Sequence, residues 1–163
     1  MESASFVPPD FVVPLSLETP LFRLEPLGPQ HNAADYAAWT SSIEHIRGTP
    51  GYPDGNWPDG RSFADNLRDL RRHADDFDHR RGFTYTVLDP ATADVIGCVY
   101  IYPDADDPHR AGVQSWVRAS RAELDIPLWR AVSAWLEDSW PFQAHGVTYD
   151  DREPDESIGA GGA

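Results

Sequence analysis

The chain of 163 residues has no lysine. That removes Schiff-base and lysine-nucleophile chemistry from the reactions open to it. Its 13 cations are all arginine, they face 27 carboxylates, and the formal charge is −14. So acidic a surface repels nucleic acid and anionic membrane, and the expected partner is a basic or neutral small molecule or peptide amine. The single cysteine, Cys98, excludes an internal disulfide and suits a reducing compartment. Set between Gly97 and Val99, it has no neighbour to lower its pKa and reads as a small core residue rather than a nucleophile. No apolar run reaches membrane-spanning length, and the first ten residues are acidic and proline-bearing rather than basic and then apolar. A soluble cytoplasmic protein is the expectation.

Six Trp, six Tyr and seven Phe supply the interior of one domain of ordinary size. Pro8, Pro9 and Pro14 among scattered apolar residues predict an extended arm over 1–20. A single domain is expected over 21–149, and the acidic, then Gly/Ala-rich stretch 150–163 has the composition of a disordered tail. Leu21 to Leu27 alternates as an edge strand closed by Pro26. A helix is expected over Pro29 to Ile46, with Asn32 and Asp35 capping or charging its first turn. The turn-rich run Gly48 to Gly60 carries Tyr52, Asn56 and Trp57. It reads either as a substrate-facing lid or as a loop pinned by its two aromatic anchors.

Ser62 to Arg80 is a second amphipathic helix, with Phe63, Leu67, Leu70, Ala74 and Phe77 on one face and Ser62 with Asp65 as a capping pair. His73 and Asp76 share a face at three-residue spacing. That arrangement is read as a solvated face rather than a metal site, and no metal is expected.

Gly82 to Leu88 alternates Phe83, Tyr85 and Val87 against Thr84 and Thr86, the period of a strand. A turn at 89–94 and the β-branched, aromatic run Val95 to Tyr102 make it a hairpin. The loop Pro103 to Arg110 lacks the glycine and distal glutamate of a calcium loop. Gly112 to Arg118 is a third strand, with Val113, Ser115 and Val117 on one side and Gln114, Trp116 and Arg118 on the other. Leu128, Ala131, Val132, Trp135, Leu136 and Ser139 then stripe a long helix that needs a sheet to cover. Trp140-Pro141-Phe142 stops it, and Gly146 to Tyr149 has the length of one short strand. The fold class that follows is α/β (α+β), a mixed, mainly antiparallel sheet flanked by helices.

This order, the phrase Val95-Ile96-Gly97-Cys98-Val99-Tyr100-Ile101-Tyr102 and the opening stretch Leu21 to His31 resemble the GNAT-type acyl-CoA N-acyltransferases. The resemblance implies transfer of an acetyl group from acetyl-CoA to an amine. It also implies a strand before the long helix that splays from its neighbour to admit the pantetheine, with the diphosphate on backbone N–H groups at the helix start. On this chain the implied contacts fall on Val113, Ser115, Trp116, Val117, Arg118, Arg121, Leu124, Ile126 and Arg130. For the general base the candidates are Glu44, His45 and His109, although an exposed loop histidine is the commoner reading of His109; for the acid they are Tyr100, Tyr102 and Tyr149.

The chain departs from the family in two places. Where the family has Gln/Arg-x-x-Gly-x-Gly/Ala, it reads Arg121-Ala122-Glu123-Leu124-Asp125-Ile126, so bulk and two carboxylates stand where glycines let a phosphate approach. Ser120 with Glu123 forms a capping-box pattern, and Asp125 before Pro127 a second helix start. The part that follows the long helix in the family is also truncated, and a homodimer partner would complete it. These departures support an alternative, a catalytically silent binding or interaction module on the same scaffold.

Overall fold

The computed structural model describes residues 5–52 and 61–152. Six strands form one sheet: β1 (Leu17–Glu18), β2 (Arg23–Pro26), β3 (Phe83–Leu88), β4 (Val95–Pro103), β5 (Ala111–Val117) and β6 (Val147–Tyr149). They lie side by side in chain order. Every neighbouring pair is antiparallel except β5 and β6, which run parallel because the helix α4 (Asp125–Ser139) crosses over between them.

Period-two alternation divides the side chains between two layers. On one face Phe83, Tyr85, Val99, Ile101, Val113 and Val117 pack against Leu128, Val132 and Leu136 of α4. On the other, Cys98 and Trp116 pack with Trp39 of α1 (Asn32–Thr40), Ile46 of α2 (Ile43–Arg47) and Leu70 of α3 (Phe63–Asp78).

The helix expected over Pro29 to Ile46 is three pieces: a 3₁₀ turn at Pro29–His31, then α1, then α2. The break at Ser41 and Ser42 has a physical cause. The Ser42 side chain is turned away from its own helix and accepts a hydrogen bond from Ala119 N at 2.8 Å, tying the helix pair to the end of β5. In α3 the capping box forms, with Asp65 N donating to Ser62 Oγ at 3.0 Å and Ser62 N to Asp65 Oδ2 at 3.3 Å. The Ser120–Glu123 pattern makes no such cap: 119–124 is a 3₁₀ segment and α4 begins at Asp125, the second of the two starts. Phe63, expected on the apolar face of α3, is half exposed and meets Tyr36 edge-on.

Residues 5–16 of the arm lie over the α4 face. Phe6 and Val7 are buried there, Phe6 stacking on Phe83 and Phe142 with centroids 5.9 and 5.3 Å apart. Arg80 holds the arm by donating to the Pro8 and Phe11 carbonyls, and Tyr85 Oη donates to the Pro14 carbonyl.

Between β3 and β4 the register moves from Val87↔Gly97 to Leu88↔Val95, leaving Ile96 as the extra residue of a bulge. Gly97 lets β5 close onto this bulge, since a Cβ there would stand 2.0 Å from the Trp116 carbonyl oxygen. Gly97→Ala should therefore force β4 and β5 apart and lower unfolding stability by about 2 kcal/mol. Urea denaturation checks this, and a wild-type midpoint would contradict it.

Candidate functional site

The parallel pairing of β5 with β6 spans only Ala111↔Val147 to Val113↔Tyr149. Past that point β5 continues through Ser115 to Val117 with no strand paired on that side among the described residues. Side chains bridge this opening. Ser115 Oγ lies 2.6 Å from Tyr149 Oη. Arg152 folds back into the opening with its side chain 2% exposed. Its Nη2 donates to the Ser115 carbonyl at 2.8 Å, its Nη1 to the Asp150 carbonyl at 2.8 Å, and its Nε to Asp125 Oδ2 at 3.1 Å. In a strand the N–H and C=O of one residue point to the same edge, so the Ser115–Arg152 contact places the Val117 backbone, two residues on, at this edge too. The second oxygen of Asp125, Oδ1, is buried with no hydrogen-bond partner.

Across the sheet from α4 lies a cavity of about 470 Å³ between β4, β5, α1 and α3, lined among the described residues by Asp35, Tyr52, His73, Tyr100, Tyr102 and Gln114. Asp35 projects from α1 and is buried. Its Oδ2 accepts from Asn66 Nδ2 at 3.1 Å, and Asn66 is fixed in turn by donating to Asn32 Oδ1 at 2.8 Å and accepting from Trp39 Nε1 at 3.0 Å. Burial pushes the Asp35 carboxyl up to about 6, against the Asn66 hydrogen bond that favours its charged form.

His73 is driven the other way, down to about 4, chiefly by burial and secondarily by Arg72. Its Nδ1 lies 2.9 Å from Tyr102 Oη and 3.0 Å from Thr84 Oγ1, while Tyr102 Oη donates to Asp76 Oδ2 at 2.8 Å. The imidazole is therefore neutral at pH 7. Tyr52 is buried at the cavity wall, and that burial pushes its hydroxyl well above the usual tyrosine range.

This six-stranded sheet with its crossover helix superposes on several solved structures. The ribosomal-protein-S5-alanine acetyltransferase of Vibrio fischeri superposes with a TM-score of 0.57 at 17% identity, over 76% of this chain and 67% of that one. The fold is that of the GNAT acetyltransferases. A probable GNAT-family acetyltransferase from Chromobacterium violaceum aligns at a TM-score of 0.56 and 12% identity, over 79% of this chain and 61% of its own. The microcin C7 self-immunity acetyltransferase, solved with acetyl-CoA and AMP, aligns at 0.57 and 12%, over 77% and 67%. No protein-family model matches the chain, and no curated protein matches it in sequence. This chain spans about two thirds of the length of these acetyltransferase structures.

Against this GNAT fold the expected site residues separate into two groups. Tyr100 and Tyr102 line the cavity, and Tyr100 Oη accepts from Trp116 Nε1 at 3.0 Å. Val113, Ser115 and Val117 are buried along β5, and Tyr149 meets Ser115 at the opening. Trp116 points to the opposite face, into the α1 layer. Glu44 is exposed on α2 and His45 half-buried, and neither lines the cavity; both lie beyond the break at Ser41–Ser42 that separates α2 from α1. His109 sits beside His145, ring centroids 5.0 Å apart, at the end of β5 remote from the opening. Asn56 and Trp57 lie outside the described residues, and Tyr52 is a buried wall residue.

His73, expected on a solvated face, faces the cavity. Asp35 is the expected first-turn acid of α1 and is also buried in the cavity wall; its signal is the four-residue spacing to Trp39, which places it on the buried stripe of α1.

Arg118 and Arg121, expected near the diphosphate, are engaged within the chain in this conformation. Arg121 is paired with Asp89 at 3.0 Å and Glu123 at 3.5 Å, Leu124 is buried, and Arg118 donates to the Val95 carbonyl at 3.2 Å. Ile126 is half-buried in the first turn of α4, and Arg130, one turn on, is exposed. Arg152 fills the opening itself. Among the described residues no group of three or more metal-ligating side chains comes together.

The cavity's two opposite shifts predict a pH signature. The Asp35 carboxyl, raised from 3.8 to about 6, contributes stability that is complete below pH 3.8 and is lost as pH rises through 6. His73, lowered from 6.5 to about 4, contributes stability that is complete above pH 6.5 and is lost as pH falls through 4. Between pH 4 and 6 the two oppose one another. Asp35→Asn should thus raise stability at pH 7 by up to about 3 kcal/mol, with the gain vanishing below pH 4. Melting temperatures across this range test it, and a variant offset that does not change with pH would contradict it.

Proposed function

We propose that the chain is an acetyl-CoA-dependent acetyltransferase acting on an amine bound in the cavity between α1, α3 and the sheet. The observation that carries this is the short β5–β6 pairing. It leaves the edge of β5 from Ser115 to Val117 without a strand partner, while Gln114 of the same strand lines a cavity with a buried carboxyl near neutral pKa. Bound acetyl-CoA supplies an activated acetyl carbonyl.

The chain's own residues take the remaining roles. An ammonium entering the cavity must lose a proton before its nitrogen becomes nucleophilic, and Asp35, ionised above pH 6 and held by Asn66, is the base we assign. The Val117 N–H is the assigned donor to the thioester oxygen. Tyr149, whose hydroxyl is held to about pH 12 by burial, stays protonated at neutral pH and is the assigned proton donor to the departing thiolate. The formal charge of −14 favours approach of a cationic acceptor. Peptide and small-molecule amines both meet this description.

The non-catalytic alternative draws on Arg121 and Arg152, which satisfy themselves on Asp89 and Asp125. Thiol release from acetyl-CoA in the presence of a panel of polyamines, amino acids and peptide N-termini separates the two readings. Acetyl-CoA binding with no amine-dependent release from any acceptor would favour the silent module. With an active acceptor, Asp35→Asn should lower kcat/KM by roughly 10²-fold at pH 7. It should also abolish the limb of the pH profile that rises through about 6. An unchanged limb would place the base elsewhere.

A further inference from the structure

Arg152 is the one arginine among the buried residues, and it lies three residues past the last strand in a segment with no regular structure. Its guanidinium does two things that the fold would otherwise leave to a ligand. It satisfies the Ser115 carbonyl on the unpaired edge of β5, and it brings a charge partner to Asp125, the first residue of α4. The carboxylate of Asp125 in turn stands at the helix start, where an anion is favoured. Cation and anion together reproduce, from within the chain, the contacts of an extended ligand that hydrogen-bonds a strand edge and ends in a negative group.

The mimicry is incomplete. Asp125 Oδ1 is buried without a hydrogen-bond partner, so the closed arrangement leaves a polar atom unsatisfied. The guanidinium is held from only two sides of the opening, by β5 and by α4, and its own segment contributes the Asp150 carbonyl and the ring of Tyr149, 5.6 Å away. No strand or helix anchors residues 150–152 in place.

We infer that Arg152 is a self-inserted plug that closes the β5–β6 opening in the free chain, and that acetyl-CoA binds only the form in which Arg152 has left the Ser115 carbonyl. This rests on the acetyl-CoA reading above. A ligand that binds only an open fraction has its apparent affinity reduced by that fraction, so removing the plug tightens binding without adding a contact.

Calorimetric titration of acetyl-CoA into the wild-type chain, Arg152→Ala and Arg152→Gln tests it, with circular dichroism to establish that the variants are folded. R152A should bind at least tenfold tighter than wild type. R152Q, which keeps a donor for Ser115 but loses the pairing with Asp125, should fall between them. In the wild type, ligand should increase hydrogen exchange at residues 150–152 while protecting 115–118. R152A binding no tighter than wild type removes the plug and keeps the acetyl-CoA reading. R152A binding more weakly overturns it in favour of Arg152 as a contact for the ligand's phosphates. If no folded form binds at millimolar acetyl-CoA, the reading on which the plug depends falls with it.

Discussion

The carbonyl of Ser115 points to the edge of β5 away from β4, where the pairing with β6 has already ended, and it lies inside the protein out of reach of bulk water. A buried backbone acceptor of this kind must find a donor. The closure of the opening follows from how that need is met. The crossover through α4 makes the β5–β6 pair parallel, and β6 is too short to follow β5 beyond Val113. The gap is therefore built by topology and length, and the chain closes it with a side chain from beyond the sheet. The same constraint reaches the other face, because the strand that offers its edge to the opening also presents Gln114 to the cavity.

In the cavity the governing effect is desolvation. It penalises whichever form is charged, so it raises Asp35 to about 6 and lowers His73 to about 4, leaving both groups close to neutral at mildly acid pH. What distinguishes them is their fixing. Asp35 is held by a network of Asn66, Asn32 and Trp39 that is itself buried, whereas His73 spends its Nδ1 on Tyr102 and Thr84. A carboxyl clamped on one oxygen and poised near neutrality suits proton transfer, and an imidazole already engaged suits the shaping of the cavity wall.

Much of this was legible in the amino acids. The alternation of Phe83, Tyr85 and Val87, the run from Val95 to Tyr102 and the Ser62–Asp65 cap each specify their element locally, and all three form. The mixed, mainly antiparallel sheet with flanking helices followed from their order. The site was harder to read because its residues are defined by what the tertiary fold buries. Arg152 lies in a stretch whose composition resembles a tail, and no local pattern signals that an arginine there will be drawn under β5. Glu44 and His45 do not line the cavity for a similar reason. The helix break at Ser41–Ser42 depends on a hydrogen bond from Ala119, 77 residues away in the chain.

The central claim is that the edge of β5 past Val113 is a ligand edge temporarily satisfied by the chain itself. A crystal structure of the protein with acetyl-CoA tests it most directly. The account predicts the pantetheine lying along Ser115 to Val117, with the Arg152 guanidinium withdrawn from the Ser115 carbonyl. Acetyl-CoA bound elsewhere, with the Arg152 contacts to Ser115 and Asp125 intact, would contradict it.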